Sequence, residues 1–335
     1  TGQPNHCYDA DALAGPIVVR RAEAGETLVT LDGATRTLDP EDLLITDGTV
    51  EVSDGSDLSA DYLAGSGGNL TINGDLTLRQ TEWDADTGRY VAYTGSLTGG
   101  GTLIKNGQGE VVLGGDNGGY AGDINIMAGA VRAASGRALG TGSITLADAA
   151  AALIFDGEAG TPWVYTGSIS GNGILVKSDR SNGSVSLTGD NSAFTGTVRI
   201  EDGTLGFIGA DSLGAATEIE VAGAGATVEL GNSDAGTLFT VSANIVGGGA
   251  LTKTGSATVE LTGTNTYAGV TTIADGTLLV GSEAALGSNA SVVINGTSST
   301  LELSGMTDFS KDVSGTGRLL LSNSTDLTMT RSLGM

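Results

Sequence analysis

GGGTLIKNGQGEVVLGG (99–115), GNGILVKSDRSNGSVSLTG (171–189) and GGGALTKTGSATVELTG (247–263) are three versions of one phrase, and GTGRLLLSNSTDLTMT (315–330) begins a fourth. Gly101, Gly173, Gly249 and Gly317 mark the same point of each copy, at separations of 72, 76 and 68 residues. A period of this length, filled with short β-type runs, is typical of a solenoid whose repeats stack on their neighbours.

The first copy contains seven short runs of β-type composition, at residues 95–98, 102–105, 110–113, 123–127, 130–134, 143–147 and 151–155. In the clearest of these runs alternate residues point to opposite faces, as half-buried strands require, and helical spacing is not sustained anywhere. The sequence therefore predicts an all-β chain.

Two β architectures accommodate these strands. In an antiparallel sandwich, Asn106–Gly107 would be a hairpin turn. The first two repeat strands are joined by a short turn at residues 254–256 and a long one at 178–183, while the flanking pattern keeps its register. A solenoid accepts such insertions as lateral bulges, so it is favoured. Three-sided coils would then take roughly 25–30 residues each.

The repeat divides the chain into two regions. Residues 93–335 hold the copies 93–164, 165–240 and 241–310 and a truncated fourth. Residues 1–92 lie outside the repeat, and we interpret them as an N-terminal cap with the first coils, because the open edge of a solenoid needs cover. The C-terminal end shows no comparable cap, which indicates a fragment of a longer protein.

The chain is strongly acidic. Its 335 residues include 39 acidic and 15 basic side chains, a formal net charge of −24. This surface repels nucleic acid and anionic lipid, so neither is an expected partner. No apolar stretch is long enough to span a membrane as a helix, and no signal peptide is present. The single cysteine, Cys7, fits a reducing compartment and an exported chain equally well.

Further landmarks follow in the same order in each copy. After G-x-G-x-L-x-K and a V-x-L strand come an asparagine, an aromatic residue and a glycine: Asn117, Tyr120 and Gly122; Asn191, Phe194 and Gly196; Asn265, Tyr267 and Gly269. An I-x-x-G-x-L run and an A/S-L-G run complete the copy. This composite motif, over about 93–330, resembles the passenger-associated repeat of bacterial autotransporters (type V secretion).

The resemblance implies a right-handed parallel β-helix that is exported through the outer membrane of a Gram-negative bacterium and displayed at the cell surface. It also implies a translocator β-barrel downstream. The family includes adhesins, autoaggregation factors, proteases and esterases, so the fold alone does not give the function.

Residues at repeated positions are predicted to be structural. Lys105, Lys177 and Lys253 share the parity of an inward leucine two residues earlier. We expect each stem to cover a coil edge while the ammonium bends outward to an acidic side chain or a turn carbonyl. A receptor-binding lysine stripe is the alternative. The repeated aromatic residues are expected in the core, and the G-x-G pairs at coil corners that need a positive φ.

Candidate partner-binding residues lie where the pattern is broken: Asp54, Asp57, Asp61, Trp83, Asp84, Asp86 and Tyr90. Two carboxylates beside aromatic platforms would suit a glycosidase, but an acidic turn is the favoured interpretation. The DADTG run (84–88) matches a calcium-binding loop only in part. We therefore expect no cofactor, and at most an adventitious calcium ion at this run. His6 is the only histidine and no nucleophile motif accompanies it, so we expect no catalytic or zinc site.

These observations predict a non-catalytic, surface-exposed adhesin. Its partner would be a second copy of itself, or a protein or glycan receptor on a host cell or matrix. Self-association calls for uncharged Ser/Thr/Asn-rich faces, and residues 288–304 are such a strip. The alternative is the stalk of an exported carbohydrate-active or hydrolytic enzyme whose active site lies outside this segment. The variable loop 178–183 is a further departure from the repeat.

Overall fold

The computed structural model describes residues 17–19, 27–31, 35–37, 42–45, 49–60, 62–79, 92–289, 291–323, 327–329 and 333–334. The chain divides into two compact units: unit 1 comprises residues 1–156 and 167–174, and unit 2 comprises residues 157–166 and 175–335. The one short helical element of the described residues is a 3-10 turn at Glu283–Leu286. No helix in this part of the chain is long and apolar enough to cross a membrane.

Unit 1 consists of short strands numbered in chain order: β1 (Ile17–Val19), β2 (Thr27–Leu31), β3 (Thr35–Thr37), β4 (Asp42–Ile45), β5 (Thr49–Val52), β6 (Asp57–Ala60), β7 (Tyr62–Ala64), β8 (Asn69–Ile72), β9 (Asp75–Leu78), β10 (Ser96–Gly99), β11 (Thr102–Leu113), β12 (Gly119–Tyr120), β13 (Ile124–Ala133), β14 (Ile144–Leu146), β15 (Ala152–Phe155) and β17 (Ile169–Gly171). They stack as β1-β4-β7, as β2-β5-β8-β10-β12, and as β3-β6-β9-β11-β13, after which β13 pairs with both β14 and β15, and β14 pairs with β17.

Unit 2 contains β16 (Trp163–Tyr165), β18 (Ile174–Lys177), β19 (Ser184–Leu187), β20 (Thr197–Ile200), β21 (Gly203–Ile208), β22 (Glu218–Val221), β23 (Ala226–Gly231), β24 (Leu238–Val241), β25 (Asn244–Gly247), β26 (Ala250–Thr254), β27 (Thr258–Leu261), β28 (Thr271–Ile273), β29 (Thr277–Val280), β30 (Ser291–Ile294), β31 (Thr300–Ser304), β32 (Asp308–Phe309), β33 (Asp312–Gly315), β34 (Arg318–Ser322), β35 (Thr328–Met329) and β36 (Leu333–Gly334). Its sheets run β16-β19-β21-β23-β26-β28-β30-β33-β36, β24-β27-β29-β31-β34, β20-β22-β25 and β32-β35.

Each unit is a parallel β-solenoid, which confirms the predicted fold class. Every pairing between the strands just named is parallel, and each strand stacks on one a coil earlier. The antiparallel sandwich is wrong, because Asn106 and Gly107 lie inside the continuous strand β11 and form no hairpin.

The coils are shorter than the sequence indicated. Leu103 pairs with Ile124, and Ile124 with Ile144, which are 21 and 20 residues further along the chain. The expectation of roughly 25–30 residues is too long for these coils. Strands β11 and β13 continue around a corner, with two ladder segments each, so less chain is spent on turns.

The core of each unit is a stack of apolar side chains that point inward from successive coils. In unit 1, Leu103, Ile124 and Ile144 are at most 1% exposed. In unit 2, Val228 stacks between Leu205 and Leu251. Burying one such side chain stabilises the fold by about 1.5–3 kcal/mol, and only the neighbouring coils supply that burial.

Glycines form the corners before the repeat strands, as predicted. Gly99 and Gly247 have φ values of 99° and 105°. A Cβ at Gly99 would lie 2.2 Å from the Ile72 oxygen of the coil below. A side chain therefore has no space at this corner, in addition to the strain that a positive φ imposes on L residues.

Candidate binding surface

An uncharged row of side chains runs along the outer face of unit 1. Strand register places one residue from each of six successive coils side by side: Ser59, Thr77, Ile104, Asn125, Thr145 and Ser170. All six are half-buried, and adjacent rungs lie about 4.8 Å apart, as in any sheet. The hydroxyls of Thr145 and Ser170 share a hydrogen bond of 3.1 Å. We call these six residues, of which all but Ile104 are polar, the polar ladder.

Carboxylates flank the polar ladder but do not interrupt it. Asp57 and Asp75 precede Ser59 and Thr77 by two residues on the same strands, and the register pairs these two aspartates with each other. On a chain with a net charge of −24, most outer faces repel a second acidic molecule. Six uncharged rungs avoid that repulsion.

The corresponding outer row of unit 2 is interrupted by a charge. Its rungs are Ser186, Gly206, Glu229, Thr252, Thr272, Val293 and Ser314. The Glu229 carboxylate lies in the middle of the row and accepts a hydrogen bond from Thr254 Oγ1 at 2.7 Å. The longer uncharged face therefore belongs to unit 1.

A second polar group in unit 1 is closed on itself. Asn69 Nδ2 donates to Thr71 Oγ1 at 3.0 Å, and Ser96 Oγ donates to Asn69 Oδ1 at 3.0 Å. The hydroxyls of Thr71 and Thr98 are 3.0 Å apart. These side chains satisfy one another across β8 and β10, so they offer a partner less than the polar ladder does.

The repeated lysines are buried inside the coils, which corrects the expectation that they bend outward. Lys105, Lys177 and Lys253 are 0% exposed. A receptor-binding lysine stripe is wrong for the same reason. The part of the expectation that placed the ammonium on turn carbonyls is confirmed, because the chain folds back over the lysine tip at the corner and its carbonyl oxygens reach Nζ.

The Lys253 corner shows this geometry most completely. Nζ donates to the carbonyl oxygens of Thr254, Gly255 and Asp275 at 2.8, 2.6 and 2.9 Å. Burial lowers the pKa of Lys253 to about 8, against the opposing field of the Asp275 carboxylate. Burial likewise lowers the pKa of Lys105 to about 8. These amines act as internal braces of the coil corners.

The repeated asparagines and aromatic residues are also structural. Asn265 Oδ1 accepts the Ile245 N–H at 2.7 Å, and Asn265 Nδ2 donates to the Ala285 oxygen at 2.6 Å, which links three coils. The core prediction for the aromatic positions is confirmed, because Tyr120, Phe194 and Tyr267 are 0% exposed.

Sequence reasoning missed a buried ion-pair cluster in unit 1. Arg132 is 8% exposed and Glu110 is 7% exposed. Arg132 Nε lies 2.5 Å from Glu110 Oε1, and Arg132 Nη1 lies 2.6 Å from Asp156 Oδ1. The three residues come from successive coils, so no local spacing in the sequence signals their contact.

The acidic and aromatic candidates form no site in the described part of the chain. Asp54 is exposed in the turn before β6, and Asp57 is exposed at the start of that strand. The remaining candidates lie outside the described residues: Asp61, Trp83, Asp84, Asp86 and Tyr90. Among the residues that are described, no group of three or more His, Cys, Asp or Glu side chains is placed to hold a metal ion.

The strip 288–304 is not a single face. It follows the chain around one coil, so Val293 points outward, Ile294 points into the core, and residues 295–298 form an exposed turn. A continuous outer face is built across coils, and a run of uncharged residues along the chain does not produce one.

Comparison with known proteins gives a family match for the N-terminal segment and matches to individual proteins over short stretches of the chain. Residues 1–55 match the B3/4 domain. A stretch of 46 residues is 74% identical to the phenylalanine–tRNA ligase beta subunit of Leifsonia xyli, covering 14% of this chain and 5% of that protein. An 88-residue stretch is 38% identical to the same subunit of Anaeromyxobacter dehalogenans, covering 26% of this chain and 10% of that protein. The chain thus spans a tenth or less of these relatives. No solved structure matches it.

A second family model matches the repeat region. The passenger-associated-transport-repeat is found at residues 103–133, 181–206 and 251–280, which overlap the strands β11 to β13, β19 to β21, and β26 to β29. This repeat belongs to secreted, surface-exposed proteins of Gram-negative bacteria. The three matches lie where the composite motif was read, and they support an autotransporter passenger domain in this part of the chain.

Proposed function

We propose that this chain is a non-catalytic adhesin that associates side by side with a second copy through the polar ladder of unit 1. The observation that carries the proposal is the run of six uncharged rungs on a chain of net charge −24. A solenoid whose repeated lysines, asparagines and aromatic residues all serve its own corners and core fits a role without chemistry of its own.

The contact gains its strength from repetition. A single hydrogen bond contributes about 0.5–1.5 kcal/mol net, so one rung alone is weak. Rungs on two copies share one spacing along the strand stack, so several pair at once when two ladders lie alongside each other. Many copies on two facing cells then add avidity without any new contact.

Charge placed on the ladder tests this proposal. Thr77→Asp combined with Thr145→Asp should abolish self-association in sedimentation velocity and the settling of cells that display the chain, because carboxylates then face each other across the contact. The matched control is Thr227→Asp with Thr272→Asp, the same change at half-buried outward positions of unit 2. This control should associate like the wild type.

A charge-swap variant separates self-association from receptor binding. Thr77→Lys with Thr145→Lys should associate with the double aspartate variant, although neither associates with itself. Added salt should strengthen wild-type association, since it screens the general repulsion between acidic chains. Wild-type association by the double aspartate variant would overturn the proposal. Attachment to host cells with no self-association would point to a receptor.

A further inference from the structure

Met127 lies beside the polar ladder with an exposed side chain. It follows the Asn125 rung by two residues on β13 and is 46% exposed, whereas Met306 is 6% exposed. A thioether that an oxidant can reach is converted to the sulfoxide, and sulfoxide reductases reverse the change. We propose that Met127 is a site of reversible oxidation that weakens association through the polar ladder. The proposal rests on the proposed function, because it regulates the same contact.

A bulge in β13 holds Met127 on the outer side of the sheet. Lys105 pairs with Ile126, and the next pair joins Asn106 to Ala128, so the register skips Met127. An additional residue of this kind re-aims its side chain relative to the flat strand. Both of its neighbours are held in place, since Ile126 is buried in the core and the Ala128 oxygen accepts from Lys105 Nζ at 3.3 Å.

The repeat itself does not require a methionine at this position. The same point of the I-x-x-G run is Glu201 in the second copy and Ala274 in the third. The strand and its corner form in all three copies, so the thioether of Met127 is not a structural element of the coil. Its place next to the polar ladder is particular to the first copy.

The surface next to Met127 is the apolar part of the polar ladder. Ile104, the rung that pairs with Asn125, is half-buried. On the other side Ala147 is exposed, and its N–H donates to the Ile126 oxygen at 2.9 Å, which places it beside the end of this strand segment. A second copy that lies on the polar ladder therefore covers Met127 together with these apolar neighbours. The flexible thioether adapts well to such a contact.

Oxidation changes what Met127 contributes to that contact. The sulfoxide oxygen is a hydrogen-bond acceptor, and water must leave it when a second copy covers it. A polar group that is buried without a partner lowers an affinity about tenfold or more. Each copy carries one Met127, so the dissociation constant should rise about ten- to hundredfold on oxidation of both copies.

The oxidant is a two-electron donor of oxygen, for which hypochlorous acid is the probe. The sulfur lone pair attacks the chlorine atom, an S–Cl bond forms, and the Cl–O bond breaks to release hydroxide. Water then attacks the sulfur, and chloride leaves with the S–Cl bonding pair. Of the two protons lost by that water, one neutralises the hydroxide and one is released. The sulfur is oxidised by two electrons and the chlorine is reduced by two.

The test treats the folded chain with hypochlorous acid below one equivalent and follows two readouts. Peptide mass spectrometry should find the sulfoxide on Met127 and an unmodified Met306, which should react only after unfolding in urea. Sedimentation velocity should show the about ten- to hundredfold rise in the dissociation constant. Treatment with methionine sulfoxide reductases of both stereospecificities should restore the original value.

Two variants isolate the sulfur from other effects of the oxidant. Met127→Leu keeps an apolar side chain of similar volume and has no sulfur to oxidise. This variant should associate like the wild type before and after treatment. Met127→Gln places a polar group at the same point, so it should associate as weakly as the oxidised wild type without any oxidant.

An unchanged dissociation constant for chain that carries the sulfoxide on Met127 would overturn the proposal. Equal weakening of Met127→Leu by the oxidant would also overturn it, because another residue would then be responsible. Failure of the proposed function looks different, since the wild type would be monomeric before any oxidant is added. The double aspartate ladder variant should lose association and still be oxidised at Met127.

Discussion

Two kinds of cationic side chain are buried in this solenoid, and their hydrogen-bonding groups are satisfied in different ways. The corner lysines bind neutral carbonyl oxygens of their own turn and of the next coil, as Lys253 does. Arg132 instead binds two carboxylates, Glu110 and Asp156, from the coils on either side. The lysine corner recurs in the three repeats because the acceptors of the ammonium are backbone carbonyls, which every residue supplies. The arginine cluster occurs once because it needs three particular side chains from successive coils.

The difference sets how severe the loss of each cation should be. Removing a lysine leaves neutral carbonyls without one donor. Removing the arginine leaves the buried Glu110 and the partly buried Asp156 without this cation, and an uncompensated buried charge is far more costly than an unpaired carbonyl.

Arg132→Met should therefore have the largest effect. We expect the free energy of unfolding to fall by about 3–5 kcal/mol in urea denaturation, the range for breaking a buried ion pair. Arg199→Met is the matched control, because Arg199 pairs with Glu201 and Glu220 while 49% exposed. Its loss should cost less than about 1 kcal/mol.

Neutralising the stranded carboxylates completes that test. Adding Glu110→Gln and Asp156→Asn to Arg132→Met should recover most of the lost stability, because no unpaired charge then remains buried. Equal destabilisation by Arg132→Met and Arg199→Met would contradict the burial of this cluster.

Lys253→Met should have the next largest effect, about 1.5–3 kcal/mol, the usual contribution of hydrogen bonds to a charged group. Methionine keeps a stem of similar length, so the loss reports on the ammonium and its three carbonyls rather than on a cavity. Lys253→Arg is the control that keeps the positive charge and changes the shape of the cationic group, since a guanidinium is broader than an ammonium. Stability like that of the wild type for both variants would show that the carbonyl contacts contribute nothing.

Much of this architecture could be predicted from the sequence. All seven strand runs read in the first copy fall on β10, β11, β13, β14 and β15, because alternation and glycine corners are local signals. The parity of Lys105 with Leu103 correctly placed the lysine on the inner side. The predicted outward bend of the Lys105 side chain was wrong. Long cationic side chains usually extend their charged group into solvent, but here the turn places carbonyl oxygens around the ammonium inside the coil.

The candidate surface could not be predicted in the same way. Rungs of the polar ladder are neighbours only through the strand register, and the separations along the chain vary from 18 residues between Ser59 and Thr77 to 27 between Thr77 and Ile104. The periodicity of the sequence does not give the pairing register between strands of successive coils, because the loop lengths between those strands differ. The match of residues 1–55 to the B3/4 domain was likewise beyond a search for repeats, and the cap assigned to residues 1–92 stays a prediction.

The pH dependence of stability gives the smallest effect that separates the two kinds of charge. Burial lowers the pKa of Lys253 from 10.5 to about 8, so above pH 8 the folded chain has released a proton that the unfolded chain still holds. Stability should then rise with pH, by at most about 1.4 kcal/mol per pH unit for each such lysine. Below pH 8 both states hold the proton and the slope vanishes.

The upper limit of this window comes from the tyrosines. Burial raises the pKa of Tyr267 above its ordinary value of 10.0, so the unfolded chain ionises first and stability falls at higher pH. Urea unfolding between pH 7 and pH 11 should thus show a maximum near pH 10. Lys253→Met should rise less steeply than the wild type from pH 8 to pH 10, because one of the titrating amines is gone. Arg132→Met is the control and should leave the slope of stability against pH in this window unchanged, since a guanidinium stays protonated throughout. Identical slopes for Lys253→Met and the wild type would mean that the Lys253 ammonium is not desolvated by its corner.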